Sequence, residues 1–211
     1  MNRKPTGRES EFDALYASMP DPWAYETSPY EKHKRAATIA ALSGKTYRRA
    51  FEAGCSIGVL TKQLAPRCES LIAMDVSGAA LEQASQRLAG NDHVALYRGE
   101  MPYQWPEGTF DLILLSEVLY FLSASEIEAT ARLCYRSLRE GGDCLLVNWT
   151  GKNDLPVDGD QASRLFFDSC PWNRSLEWSE QRYRIDLFRT AQRLGEPQAV
   201  GDRPHRYASA K

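Results

Sequence analysis

Apolar positions along the chain fall into two rhythms, short unbroken runs and stripes spaced three or four residues apart. The runs YRRAFE (47–52), SLIAMD (70–75), VALYRG (94–99), FDLILLS (110–116) and CLLVNW (144–149) each predict a β-strand. FDLILLS is almost wholly apolar, as befits a central strand covered on both faces. Stripes lie between the runs. Val59 to Leu64 is a short helix that Pro66 ends, and Ser77 caps another with Leu81, Ala84 and Leu88 on one face. Ser123 and Glu126 form a capping box ahead of Ile127, Ala131, Cys134 and Leu138, and Gly141-Gly142 closes that helix. Upstream, Ser28-Pro29-Tyr30-Glu31 opens a helix that runs to about Leu42 and stops at Gly44.

Strands alternating with helices predict an α/β fold, doubly wound around a mostly parallel seven-stranded sheet with right-handed crossovers. After the fifth strand the pattern changes. A polar loop leads to a helix near Gln161–Asp168, and SLEWSEQ and YRIDLFRT follow as antiparallel partners at the sheet edge. The chain divides into an N-terminal helical segment (1–44), a main domain (45–193) and a polar tail (194–211) with too little apolar surface to order.

Composition narrows the classes. A chain of 211 residues with 43% hydrophobic content can bury a full core in one domain. A net charge of −2 gives no general attraction to nucleic acid or to anionic membranes. No apolar run approaches the roughly 18 residues of a membrane span, and MNRKPTGRESEF leads into no signal-peptide core. A cytoplasmic protein without membrane insertion is expected; its oligomeric state is left open. Five scattered cysteines and three histidines show no metal-binding spacing, so no metal is expected.

The candidate chemistry begins where the first strand ends, at Glu52. There Gly54 and Gly58 bracket a loop through Cys55 and Ser56, and the missing Cβ atoms would let a ligand approach the backbone. Asp75 closes the second strand about twenty residues later, where a carboxylate can accept both hydroxyls of a ribose. Loop and acid together point to a nucleoside. Glu52 would repel a pyrophosphate and attract a cationic ligand, which favours S-adenosyl-L-methionine over NAD. An ordinary cap or ion pair is the alternative for Glu52. Glu100 and Met101, after the third strand, can contact an adenine ring, though Glu100 also fits a solvated strand end.

These segments resemble the class I S-adenosylmethionine-dependent methyltransferases. FEAGCSIG is similar to their first motif, MD (74–75) to their ribose acid, GEM (99–101) to their adenine contact, and FDLILLSEVLYFL and LREGGDCLLV to their fourth strand and the turn into the fifth. DPWAYETSPYEKHK, EAGCSIGVLTKQLAPRC and SEVLYFL together resemble the rhizobial nodulation methyltransferase family, NodS. The resemblance implies the Rossmann-like class I fold. It also implies a cofactor site including Glu52, Gly54, Cys55, Ser56, Gly58, Asp75, Val76, Glu100, Met101 and Ser116. The implied reaction is N-methylation of an amine on an amino sugar or oligosaccharide, with S-adenosyl-L-homocysteine as product. Ser56 departs from the usual glycine-rich centre, and the C-terminal third resembles nothing alignable.

Methyl transfer places the remaining candidates. Glu117 and Tyr120 follow the fourth strand, so Glu117 can hold an ammonium acceptor or take its proton, and Tyr120 can orient it. A loop hydrogen bond for Glu117 and core packing for Tyr120 are the plainer alternatives. His33 is the one histidine placed to assist. Trp23, Tyr25 and Tyr30 can stack on a sugar or on adenine as part of a lid, or simply pack on the domain. Trp105 lines the adenine side or anchors a surface loop. The competing functions are a small-molecule O- or N-methyltransferase of specialised metabolism, a non-catalytic cofactor-binding protein and an NAD-dependent oxidoreductase.

Overall fold

The computed structural model describes residues 6–180 and 182–190, so the tail expectation for 194–211 falls outside the described residues. The strands are β1 (Ala50–Ala53), β2 (Leu71–Asp75), β3 (Val94–Arg98), β4 (Phe110–Ser116), β5 (Leu138–Trp149), β6 (Trp172–Glu180) and β7 (Tyr183–Thr190). They form one seven-stranded sheet in the order β3-β2-β1-β4-β5-β7-β6. β1 to β5 pair in parallel, and β7 runs antiparallel to both β5 and β6. The order reverses between β1 and β4, so the loops leaving those two strands diverge and open a crevice at their carboxyl ends.

Two apolar layers explain the unbroken runs. In β4, Ile113 and Leu115 join Phe51, Ile127, Ala131 and Phe166 on one face, while Leu112 and Leu114 join Leu64, Leu145, Val147 and Ile185 on the other. Each such fully buried aliphatic side chain contributes about 1.5–3 kcal/mol relative to exposure. The helices covering these layers are α2 (Pro29–Ala41), α3 (Val59–Leu64), α4 (Gly78–Arg87), α5 (Ala124–Ser137) and α6 (Gly159–Asp168). Ser123 and Glu126 cap α5 reciprocally, as their spacing predicts. Asp158 and Gln161 do the same for α6.

Three details depart from the sequence pattern. β1 starts at Ala50 rather than Tyr47, because the backbone at Tyr47 forms only an isolated bridge, to Cys68, while its hydroxyl donates to buried Asp143 (2.9 Å). β5 begins at Leu138 and runs through the Gly141-Gly142 pair, which therefore does not separate helix from strand. A Cβ on Gly142 would come within 3.0 Å of the Asp111 carbonyl, so bare backbone lets β5 lie against β4 where their register shifts. The third is an unpredicted helix, α1 (Arg8–Ser18), in the polar N-terminal stretch. Among the described residues, no helix is long and apolar enough to cross a membrane.

Candidate active site

The crevice floor is built by the loop after β1. Gly54 has φ +78, and a Cβ there would lie 2.0 Å from Val118 Cγ1, so the turn admits glycine alone. The Gly54 and Cys55 amides donate to the Met74 carbonyl at 2.7 and 2.9 Å. Ser56 also has a positive φ, of 51°, and its amide donates to Asp75 Oδ2 (2.8 Å) while the Ser77 amide donates to Oδ1 (2.9 Å). Asp75 thus ties two loops together and keeps lone pairs for further donors. Burial raises its pKa against the pull of these amides. The crevice above it has an empty volume of about 840 Å³ and is lined by Gly54, Ser56, Asp75, Val76, Glu100, Met101, Ser116, Glu117 and Tyr120, among others.

A second, smaller chamber adjoins it between the loop and α2, lined in part by Glu52, Cys55, Arg35, Lys34 and Thr38. The buried face of α2 consists of Glu31, Lys34, Arg35 and Thr38, at helical spacing but wholly polar. Arg35 is 7% exposed, and its Nε and Nη1 have no hydrogen-bond partner. Burial lowers its pKa, opposed by the nearby Glu31 charge. Glu52 is 1% exposed with Oε2 unpartnered. Burial pushes its carboxyl up to about 7, against the pull of the neighbouring Thr61 hydroxyl and with a push from Asp75. A buried cation and a buried acid, each with unpartnered polar atoms, therefore face one chamber.

Glu117 stands where the chambers meet, with φ +61. Its Oε2 accepts from the Tyr120 hydroxyl (2.6 Å), and its Oε1 lies 3.3 Å from Lys34 Nζ without hydrogen-bond alignment. Burial raises its pKa, and Lys34 and Tyr120 pull it down. Tyr120 is buried, and burial followed by the Glu117 charge drives its hydroxyl well above its ordinary value.

Several expected site residues lie elsewhere. His33 is one position out of phase with the buried α2 face, so its side chain is 57% exposed and meets Glu180 (3.2 Å) instead of the crevice. Tyr30 packs edge-on against Tyr183 and lines neither chamber. Gly58 is the N-cap of α3, where a Cβ would sit 3.1 Å from that of Ala84, so it packs loop on helix rather than meeting a ligand. Cys55, by contrast, stays in the lining of the second chamber, where desolvation pushes its thiol well up and makes it a poor nucleophile. Trp105 packs edge-on against Phe51, 4.8 Å between centroids.

Pattern reading named Trp23 and Tyr25 for a lid but missed the helix that builds most of it. Helix α1 lies across the crevice mouth, contributing Arg8, Phe12 and Tyr16 to its lining, with Trp23 and Tyr25 from the following loop. Tyr16 and Ser56 share a 2.5 Å hydrogen bond, so the serine in the glycine loop is the anchor of α1. Asp13 accepts from the Ser77 hydroxyl (2.7 Å) and from Arg98 (2.8 Å). Arg8 bonds Glu100 (2.7 Å) and Glu126 (2.5 Å). Among the described residues, no group of three His, Cys, Asp or Glu side chains is placed to hold a metal ion.

The arrangement can take a nucleoside over Asp75 and an amino-acid zwitterion between Arg35 and Glu52. A family profile described as Nodulation protein S (NodS) matches residues 13–148, more than half of the chain. The chain belongs to the NodS family. A nodulation protein S from Rhizobium tropici is 31% identical over 124 residues, covering 58% of this chain and 52% of that protein. Another from Bradyrhizobium diazoefficiens is 35% identical over 104 residues, covering 48% and 49%. The chain thus spans about half the length of the curated relatives it matches. The crystal structure of N-methyltransferase NodS from Bradyrhizobium japonicum WM9 in complex with S-adenosyl-L-homocysteine gives a TM-score of 0.77 at 20% identity, over 87% of this chain and 99% of that one. This likeness shows a shared fold. The NodS match takes in α2, the glycine loop, Asp75 and Glu117, and stops before β6 and β7.

Proposed function

We propose that this NodS family protein transfers the methyl group of S-adenosyl-L-methionine to an amine carried by an amino sugar or oligosaccharide. The observation that carries this reading is that Arg35, with Nε and Nη1 unpartnered, and Glu52, with Oε2 unpartnered, line the same second chamber. They match the carboxylate and ammonium of a methionine end, beside a loop and acid suited to its nucleoside. The name and bound product of the Bradyrhizobium japonicum protein agree with it.

When bound, the cofactor supplies the reactive sulfonium methyl, and the protein supplies position. Asp75 accepts from ribose hydroxyls, Arg35 pairs with the carboxylate, and Glu100 and Met101 bound the adenine end. Residues 6–44 act as a lid over both. An acceptor amine must be neutral to attack, and with a pKa near 8 about a tenth is neutral at pH 7, a cost of about 1.4 kcal/mol. A carboxylate such as Glu117 suffices to remove that proton, and it would serve a hydroxyl poorly. Trp23 at the mouth, 37% accessible, offers apolar surface to a sugar ring.

Calorimetry with S-adenosyl-L-homocysteine, with NADH as control, tests the cofactor. An acceptor screen with deacetylated chitooligomers, small amines and small phenols tests the rest. Binding of S-adenosyl-L-homocysteine alone and methylation of the oligomers are expected. Turnover of the small compounds alone would make this a methyltransferase of specialised metabolism. Glu117→Gln should keep cofactor affinity and lower turnover by about 10² or more. A loss confined to cofactor affinity would reassign Glu117.

A further inference from the structure

Lys34 was given no role by the sequence, yet it lines both chambers with 5% side-chain exposure. It donates to Glu31 Oε1 at 2.9 Å, sits 5.1 Å from the Tyr30 ring centroid and approaches Glu117 Oε1 to 3.3 Å. The contact with Glu31 is a hydrogen bond, and that with Glu117 falls outside hydrogen-bond geometry and acts chiefly through charge. The Glu117 backbone is fixed by its amide donating to the Val147 carbonyl (2.8 Å), and Oε2 by Tyr120. One oxygen of Glu117 is therefore held and the other is attracted but left unbonded.

We propose that Lys34 is a positioning residue: tethered by Glu31, it holds its charge 3.3 Å from Glu117 Oε1 without bonding it, and so favours the carboxylate that is to receive a proton from the acceptor's ammonium. The inference rests on the proposed role of Glu117 as base. In that step the N–H bond of the ammonium breaks, an O–H bond forms at Glu117, and a cation and an anion become a neutral amine and a neutral acid.

The groups facing Glu117 set the sign. Burial disfavours its charge, Lys34 favours it, Tyr120 favours it by hydrogen bonding, and Glu31 disfavours it. Tyr25 and Tyr30 face the same carboxylate as neutral hydroxyls raised by burial, and Arg35 and Glu52 share the second chamber. Without Lys34, burial would act without that opposing charge and raise the Glu117 pKa further. Removing Glu31 should act in the opposite direction, by deleting a like charge and releasing Lys34 toward Glu117. A residue that merely packs α2 against the sheet would produce no such opposed pair.

The test is a ¹³C NMR titration of the Glu117 carboxyl in the full chain saturated with S-adenosyl-L-homocysteine, its signal assigned by its loss in Glu117→Gln. Lys34→Met should move the midpoint up by about one to three pH units, Lys34→Arg should bring it back, and Glu31→Gln should move it down. The acid limb of kcat/KM for a deacetylated chitooligomer should follow the midpoints. An unmoved or lowered midpoint in Lys34→Met overturns the inference, as does a raised one in Glu31→Gln, which decides the matter should Lys34→Met not fold. Midpoints that move as expected in a protein that methylates no amine would sustain Lys34 and sink the proposed function instead.

Discussion

The floor and the cover of the crevice are built from opposite materials. The floor is the carboxyl end of β1, β2 and β4, where side chains such as Phe51, Ala73 and Leu114 are fully buried and the polar groups that matter are backbone amides gathered by one carboxylate, Asp75. The cover is α1 and α2, where charges turn inward, Arg8 beside Phe12 and Tyr16 on α1 and Glu31, Lys34 and Arg35 on α2. A floor made of apolar strands is rigid before any ligand arrives. A cover with a buried, unpartnered Arg35 carries an electrostatic penalty that a bound carboxylate would remove. The floor supplies shape and the cover supplies affinity.

That contrast can be broken one side at a time. Arg35→Ala should weaken S-adenosyl-L-homocysteine binding by about 2–5 kcal/mol in calorimetry, while raising the melting temperature of the free protein, since an uncompensated buried cation is gone. A lower melting temperature would show that Arg35 is paired in solution.

Glu52 gives the next effect. Its folded pKa of about 7 lies above its ordinary value of 4.5, so the folded state holds the proton more tightly than the unfolded one. The stability it contributes is full below about pH 4.5 and is lost as pH rises through 7, a total of about 3 kcal/mol. Urea unfolding of the free protein should show this decline, and Glu52→Gln should flatten it. An unchanged slope would mean that Glu52 is already ionised and partnered.

On the floor, Asp75→Ala should weaken cofactor binding by roughly 1–3 kcal/mol, the cost of leaving ribose hydroxyls unpaired. Unchanged affinity would place the ribose elsewhere. Smallest is Tyr16→Phe, which removes the hydroxyl bonded to Ser56. About 1 kcal/mol is expected, seen as roughly fivefold faster hydrogen exchange of the α1 amides with the sheet amides unchanged.

The same contrast decided what could be read from the chain. Strand runs and caps are local patterns, so Leu71–Asp75, Phe110–Ser116 and the Ser123 box lie within a residue or so of where periodicity places them. The loop candidates Gly54, Ser56 and Asp75 followed from the strand frame, and the structure brings them to one crevice. Lys34 and Arg35 were invisible because a search for apolar stripes passes over a buried face made of charges. The signal was present: Glu31, Lys34, Arg35 and Thr38 stand at i, i+3, i+4 and i+7. His33, picked for its chemistry, failed on phase alone. Helix α1 carries little apolar surface beyond Phe12 and Tyr16, so its formation depends on partners far along the chain.

The attachments of α1 have a consequence for kinetics. Glu9, Asp13 and Arg98 pair at 2.8 Å with side chains a third to three-fifths exposed, well within reach of dissolved ions. At physiological ionic strength the screening length is about 8 Å and shrinks as salt is added, while the apolar seams beneath the sheet are indifferent to it. Residence time in the crevice thereby becomes a property of the buffer as well as of the protein. Salt would shorten it by loosening the helix across the mouth, leaving the cradle under the ligand unaltered.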